Sequence, residues 1–250
     1  MNDVTVRRPV IWNCAGATDV GTVRPLNEDA FLVQPEIGLW TVADGMGGHD
    51  GGSVASQMIV DELKKLTTKI NLDSFIKDIE DAVLAVNQYL LNYSKTSLNG
   101  RTIGSTFVSL LIKGNIGVCL WAGDSRLYRL RHDKLIMISH DHSHVAELVK
   151  EGLISEEEAA THPESNVITR AVGTSERLDI DIELFDVNVG DQFLLCSDGL
   201  YNAVPQSEII SAMNGDDLEV SVQQLIENAL QNKATDNISV ILVKGLHQNV

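Results

Sequence analysis

Four aspartates stand at the ends of apolar, strand-like runs, where they could hold a cation. Asp44, Asp124 and Asp198 are the last residues of such runs, and Asp236 stands just before another. Taken singly, Asp44 and Asp198 are more typical of turns, because glycine follows each directly. Packed strands bring their ends to common edges, and clustered carboxylates stay ionised together only beside cations. The four positions therefore indicate a candidate cation site.

The candidate metal ligands are oxygen atoms, which favour Mg²⁺ or Mn²⁺ over zinc. The sequence has no cluster of Cys and His at zinc spacing. Magnesium-like ions keep several waters, so a few aspartates and a backbone carbonyl are enough to hold a pair of ions. A water bridging two such ions could serve as a nucleophile.

The glycine-rich stretch after Asp44 suggests a nucleotide-binding loop, but the pattern fails. Starting at Gly45, the G-x-G-x-x-G template requires glycine at position 50 and meets Asp50, and no G-x-x-x-x-G-K-[ST] occurs. Glycine here has another use, because it lets the backbone and its carbonyls approach an ion closely.

Upstream and downstream of Asp44 lie an arginine and a histidine that could act on phosphate. Arg24 precedes Glu28 and Asp29 by four and five residues. Its planar fork matches phosphate oxygens, and a histidine such as His49 could protonate a leaving alkoxide. Each alone is more typical of an ordinary surface or loop residue.

The net charge of the chain argues against two classes of binding partner. The 19 Lys and Arg against 35 Asp and Glu give a formal charge of −16, which repels nucleic acid and anionic membranes, so we expect neither as a partner. Cys14, Cys119 and Cys196 lack C-x-x-C spacing and predict buried free thiols in a reducing compartment. No secretory segment is evident, and no apolar window approaches the roughly 18 residues of a membrane span. We therefore expect a cytoplasmic protein.

The elements that must position these residues are mostly strands. Several strand-like runs follow each other too closely for helical crossovers, which favours antiparallel meanders. The runs are 10–16, 29–34, 38–43, 105–112, 116–122, 126–131, 135–139, 180–187, 192–197 and 238–244.

Helical periodicity predicts three main helices, at 53–67, 73–92 and 218–231, the last with Asp217 as its N-cap. Residues 143–166 predict two short helices, which could form a flap beside a site or an ordinary connection. No linker or repeat divides the chain, so we expect one domain over residues 1–250.

Five motifs, in order, carry a resemblance to a known family. They are VRPLNEDA, VADGMGGH, GDSR, CSDGL and TDNISV. Together they closely resemble the bacterial branch of the PPM-type (protein phosphatase 2C) metal-dependent serine/threonine phosphatases. DHSHVAELVKEGLISEEEA and THPESNVITRAVG are similar to the family's flap. The resemblance implies an α+β, four-layer α-β-β-α sandwich of two antiparallel sheets flanked by helices, with the flap at about 140–172.

The resemblance also implies a core ligand set for two Mn²⁺ or Mg²⁺ ions. Asp44 would bridge the two ions, and the Gly45 carbonyl would bind one of them. Asp198 and Asp236 would complete the other.

Further roles follow from the same resemblance. Asp29 would act partly through waters on the ions, with Glu28 supporting it, and Asp124 would contribute to a third, weaker metal near the flap. Arg24 would grip the substrate phosphate, and His49 would be the general acid.

Two positions depart from the family pattern. Animal members have a histidine where this chain has Met46, so His49 would have to occupy that space after a loop shift. Many members have aspartate where this chain has Asn202, but that position is not a core ligand, and we expect activity to survive.

The implied activity is hydrolysis of phosphoserine and phosphothreonine in proteins by a metal-activated water, without a phosphoenzyme. Expected partners are phosphorylated proteins, including a cognate kinase or its substrates, and we expect a monomer. GLWTVADGMGGHDGG and the compact length resemble phosphatases that oppose a kinase in type VI secretion control. General bacterial kinase signalling is the alternative pathway. Alternative classes are a phosphoprotein-binding pseudophosphatase and a calcium-binding structural domain, although no D-x-[DN]-x-[DN]-G loop supports the latter.

Overall fold

Two antiparallel β-sheets pack face to face, with helices covering their outer faces. The structure, a computed structural model, describes residues 10–47 and 51–247, apart from the side chains of Ala160 and His247. The four-layer α-β-β-α sandwich that the resemblance implied is therefore confirmed.

The first sheet has five strands in the order β1-β11-β10-β7-β8, and the second has six, in the order β2-β3-β5-β6-β9 with β4 paired to β3. The strands are β1 (Val10–Asp19), β2 (Asp29–Gln34), β3 (Leu39–Met46), β4 (Gly104–Ser105), β5 (Phe107–Lys113), β6 (Ile116–Ala122), β7 (Arg126–Arg131), β8 (Lys134–Met137), β9 (Asp181–Asp186), β10 (Gln192–Cys196) and β11 (Ile238–His247). All paired strands run antiparallel, as the short spacing between the strand-like runs predicted.

Seven helices complete the described part of the chain. They are α1 (Gly51–Leu63), α2 (Leu72–Ser97), α3 (His144–Lys150), α4 (Glu156–Ala160), α5 (Asp198–Tyr201), α6 (Gln206–Met213) and α7 (Leu218–Gln231). In the described ranges, none of the helices is long and apolar enough to span a bilayer.

Alternation along the strands builds three apolar layers. On β3, Trp40 and Val42 face the other sheet, whereas Leu39 and Ala43 face α1 and α2. The same period of two separates the inter-sheet layer from the helix-facing layers on the other central strands. The resulting rigidity fixes the strand ends from which the candidate ligands project.

The outer helices follow the predicted stripes. On α2, Phe75, Ile79, Val83 and Leu90 are buried. Asp217 caps α7 as predicted, since its Oδ1 accepts hydrogen bonds from the next two helical amides at 2.8 and 3.1 Å.

The sequence interpretation differs from the structure at several boundaries. The first helix ends at Leu63 rather than 67, and the β-branched Thr67 and Thr68 that follow are weaker helix formers. The helices α5 and α6 were not predicted, because α5 is one turn long and α6 buries only a short stripe, Ile209, Ala212 and Met213.

Candidate metal centre

Asp29 and Asp44 face each other across the β2–β3 pair, in register. Cross-strand neighbours present their side chains on the same face of a sheet. The strand β3 continues through Gly45 to Met46, so Asp44 lies within a strand, and the sequence interpretation that ended the strand at Asp44 was wrong. Backbone pairing with Thr106 continues there, with the Thr106 amide 2.8 Å from the Asp44 carbonyl.

Asp198 and Asp236 lie at one edge of the five-stranded sheet. Asp198 begins α5 two residues after β10 ends, and Asp236 stands two residues before β11 begins. Because these two strands are antiparallel neighbours, the end of one meets the start of the other. The Asp198-Gly199 pair thus opens a helix rather than forming a hairpin turn.

Asp124 lies in the connection from β6 to β7, where the chain passes from one sheet to the other. Asp124 is buried, with only 7% of its surface exposed. The preceding Gly123 has φ +119°, and a Cβ there would lie 2.4 Å from the Thr106 side chain, so this turn requires glycine.

The two sheets are joined at this edge by Ser197. Its hydroxyl donates to Asp29 Oδ2 at 2.7 Å and accepts from the Ser239 amide at 2.9 Å. The carboxylates of both sheets therefore lie at one rim of the sandwich, where the sequence analysis allowed that several could meet.

The electrostatics of this rim fit bound cations. In the described ranges, the buried Oδ1 atoms of Asp29, Asp124 and Asp198 accept no hydrogen bond. Burial, and then the neighbouring carboxylates, raise the pKa of Asp124 to about 6 and raise the pKa values of Asp29 and Asp198. The pKa of Asp44 is raised well above its usual value for the same reasons. Buried, unpaired carboxylate oxygens are costly unless a cation balances them.

The arrangement suits hydrated ions rather than a closed cage. In residues 10–47 and 51–247, no group of three His, Cys, Asp or Glu side chains is placed so that it could hold a metal ion by itself. Mg²⁺-type ions need only one or two carboxylates each and keep several waters, whereas structural zinc needs four protein ligands. The donor set therefore fits Mg²⁺ or Mn²⁺ and not zinc.

Gly45 and Glu28 join the rim to α1. The Gly45 amide donates to the Glu28 carbonyl at 3.1 Å, and a Cβ on Gly45 would lie 2.2 Å from the Gly52 carbonyl oxygen. The Glu28 side chain accepts from the Gly52 amide at 3.0 Å, at the positive end of the helix. Glu28 thus anchors the first turn of α1, and its support of a metal stays a prediction.

Arg24 lies exposed beside the carboxylates. Its Nε and Nη2 donate to the two carboxylate oxygens of Asp236, at 3.0 and 2.7 Å. This pairing uses two of the five N–H donors of the guanidinium. Asp236 therefore orients the guanidinium of Arg24, and the N–H groups outside this ion pair can still donate to a phosphate.

The predicted general acid cannot be placed. His49 lies outside the described residues, so its role stays a prediction.

Asn237 is a functional position that the sequence interpretation missed. Its side-chain amide donates to the Val20 and Leu26 carbonyls, both at 2.9 Å, and its carbonyl oxygen accepts from the Glu28 amide at 2.7 Å. It thus holds the loop that carries Arg24 against Asp236. The only signal for it was its place inside TDNISV, directly after a candidate ligand.

Comparison with protein families gives a match over most of the chain. Residues 23–242 match the family model described as Protein phosphatase 2C. The "Serine/threonine phosphatase stp" of Listeria innocua is 33% identical over 235 residues, covering 91% of this chain and 93% of that protein.

Two solved structures are similar throughout. One, described as "PppA, a key regulatory component of T6SS in Pseudomonas aeruginosa", is 40% identical with a TM-score of 0.88, and the match covers 96% of this chain and 100% of that one. The other is the catalytic domain of the serine/threonine phosphatase PstP in complex with two manganese ions. It is 32% identical with a TM-score of 0.85, covering 95% of this chain and 99% of that one. The chain therefore belongs to the protein phosphatase 2C family of metal-dependent serine/threonine phosphatases.

Proposed function

We propose that this protein removes phosphate from phosphoserine and phosphothreonine in proteins through a water activated by two Mn²⁺ or Mg²⁺ ions. The observation that carries the proposal is the set of buried carboxylate oxygens on Asp29, Asp124 and Asp198, close to Arg24, that accept no hydrogen bond from the residues the structure describes. A phosphate placed there would meet cations on one side and a guanidinium on the other.

Each residue has a part in holding the ions. Asp44 would serve both ions, together with the Gly45 carbonyl, Asp198 and Asp236. Asp29, supported by Glu28, would accept hydrogen bonds from the waters that the ions keep. Asp124 would contribute to a third, weaker site.

The chemistry requires strong charge stabilisation, because phosphate monoesters hydrolyse extremely slowly unaided. When bound, the ions supply Lewis-acid polarisation of the phosphate and activation of a water. Arg24, oriented by Asp236, holds the phosphoryl group in line. His49 would give a proton to the leaving serine or threonine oxygen.

The cysteines are poor candidates for a covalent route. Cys119 and Cys196 are fully buried, and burial raises the pKa of Cys196 to about 12 and that of Cys119 well above its usual value. The thiolate, not the thiol, is the reactive nucleophile, and these raised pKa values keep both residues as thiols. Neither cysteine is therefore activated. This supports direct attack by water without a phosphoenzyme.

The proposed setting is a bacterial kinase pathway. The protein would act as a cytoplasmic monomer of one domain over residues 1–250, with 140–172 as a flap beside the site. It would counteract a serine/threonine kinase in type VI secretion control by acting on the kinase or its substrates. The 40% identity to PppA supports this pathway, while the likeness to Stp supports general kinase signalling as the alternative.

The test is hydrolysis of a phosphothreonine peptide by the purified protein with and without Mn²⁺. We expect turnover only with the ion, and its loss in Asp44→Asn and Asp198→Asn. Asp186→Asn is the matched control, because Asp186 ends β9 and its side chain is 65% exposed. Turnover without metal, or phosphopeptide binding by folded protein without turnover, would overturn the proposal.

A further inference from the structure

Arg126 opens β7 two residues after Asp124 and is held in a fixed orientation. Its Nε and Nη2 donate to the two carboxylate oxygens of Asp141, at 3.0 and 2.7 Å. The two side chains are only 24% and 13% exposed. A planar, two-bond pairing of this kind fixes the angle of the guanidinium as well as its place.

The guanidinium lies over the ring of Tyr201. Its central carbon is 3.5 Å from the centroid of the tyrosine ring, within the range of a cation–π contact. Tyr201 is the last residue of α5, the single turn that begins with Asp198. Arg126 therefore packs against the same turn of helix that carries a candidate ligand.

Tyr201 also reaches the other candidate ligand. Its hydroxyl donates to the backbone carbonyl of Asp124 at 3.1 Å. One side chain thus belongs to the helix of Asp198 and is hydrogen-bonded to the turn of Asp124. The carboxylates of these two aspartates repel each other, and each has a buried oxygen that accepts no hydrogen bond in the described ranges.

The turn that carries Asp124 is held from its other side as well. The amide of His142 donates to the Gly123 carbonyl at 2.9 Å, and the Gly123 amide donates to His142 Nδ1 at 3.1 Å. The ring of His142 stacks on Trp121 at 5.9 Å. Asp141, the partner of Arg126, immediately precedes this anchored histidine.

We infer that Arg126 and Tyr201 are positioning residues, which set the separation of the Asp124 and Asp198 carboxylates and thereby the affinity of the weaker metal site between them. The inference rests on the proposed function, since it assumes that these carboxylates bind ions. Neither residue is among the candidate ligands. Arg126 holds the ring, the ring ends the helix of Asp198, and the hydroxyl holds the turn of Asp124.

The experiment is a Mn²⁺ titration of metal-free protein, with free Mn²⁺ measured by its electron paramagnetic resonance signal. Tyr201→Phe removes only the hydroxyl, and Arg126→Lys keeps the charge but loses the planar fork and the stacking. Groups that orient metal ligands typically change metal affinity 10- to 100-fold, so we expect the weakest site to lose about 10-fold in both variants. The two tighter sites, one of which also uses Asp198, should lose less, because Asp44 and Asp236 still hold those ions.

The controls are matched in chemistry. Tyr128→Phe removes a hydroxyl that also contacts Arg126, at 2.9 Å, but is not hydrogen-bonded to Asp124. Arg131→Lys breaks an equivalent two-bond pairing, with Asp191, at the far end of the same strand. Both controls should titrate like the wild type.

Several outcomes would overturn the inference. Unchanged weak-site affinity in Tyr201→Phe and Arg126→Lys, a wild-type titration that ends at two ions, or an equal loss at every site in variants and controls would each do so. A wild-type protein that binds no Mn²⁺ would instead overturn the proposed function, and the inference with it.

Discussion

At the scale of single residues, the site depends on side chains that fix the carboxylates as much as on the carboxylates themselves. Ser197 supplies the hydrogen bond to Asp29 Oδ2, while Asp29 Oδ1 has none in the described part of the chain. The orientation of this buried carboxylate therefore depends on a few hydroxyls, of which that of Ser197 is the main one.

Replacing Ser197 by alanine should weaken metal-dependent turnover. Without the hydroxyl, Asp29 is held less firmly, and loss of a group that orients a metal ligand costs about 10-fold or more in affinity. The measurement is the Mn²⁺ concentration that gives half-maximal turnover, which should rise about 10-fold. Ser221→Ala, a buried serine on α7 away from the rim, is the control, and an unchanged Mn²⁺ dependence in Ser197→Ala would contradict the prediction.

The sequence identified the candidate ligands but not the residues that orient them. Asp44, Asp124, Asp198 and Asp236 could be predicted because each adjoins an apolar run, which is a local pattern. Tyr201 could not, because its role comes from a contact with a turn 77 residues earlier in the chain. Side chains that act through long-range contacts leave no local periodicity.

At the scale of elements, the close approach of β3 to α1 requires Gly45. We expect Gly45→Ala to be strongly destabilising and inactive, because its Cβ would lie 2.2 Å from the Gly52 carbonyl oxygen and 2.4 Å from that of Glu28, both backbone atoms. Thermal denaturation and phosphopeptide turnover are the measurements.

Gly190→Ala is the control for Gly45→Ala. Gly190 has φ +87°, but a Cβ there meets nothing within 4 Å, so the backbone strain of about 1 to 2 kcal/mol is its only cost. Its activity should stay near wild type. A Gly45→Ala protein as stable and active as this control would show that the rim tolerates a wider separation of strand and helix.

The cap of α7 should matter for stability and not for catalysis. Asp217→Ala removes the acceptor for two helix amides, at a cost of about 1 kcal/mol. Because α7 packs on the outer face of the five-stranded sheet, turnover per folded molecule should not change. Urea denaturation beside an activity assay checks both, with Asp217→Asn, which keeps a capping oxygen, as the comparison. A loss of turnover in folded Asp217→Ala would contradict this separation.

Periodicity predicted four elements to the residue, whereas others begin or end a few residues from their predicted bounds. The strands β2, β6 and β7 and the helix α7 match the predicted ranges, because each combines a clear apolar pattern with a turn or cap residue at its ends. The helix α5 is too short for any periodic signal. It exists because β10 ends there and Leu200 packs into the layer beneath α7.

At the scale of the whole molecule, the carboxylate rim should make the metal-free protein less stable as the pH rises. The pKa of Asp124 in the folded state is about 6 and that of Asp198 about 8, against 3.8 for an ordinary aspartate. Between pH 3.8 and about 8, the folded state therefore binds more protons than the unfolded state. The free energy of unfolding consequently falls as the pH rises from about 5 to 8.

Thermal denaturation in a chelator across this pH range measures the effect. The melting temperature should fall with rising pH, and adding Mn²⁺ should reverse the fall, because the ion replaces the lost protons. Asp198→Asn without metal should show a shallower fall. A melting temperature that rises steadily from pH 5 to 8 in the chelator would contradict the prediction.

The meeting of both sheets at one rim has a consequence for how the chain acquires its activity. Asp29 and Asp44 belong to one sheet, Asp198 and Asp236 flank strands of the other, and Asp124 lies in the connection between them. Neither sheet by itself carries a complete ligand set. During folding, a hairpin or a single sheet formed early would be catalytically silent, and competence would appear only when the two halves dock and Ser197 joins their edges. The enzyme therefore cannot be active before its two sheets have docked.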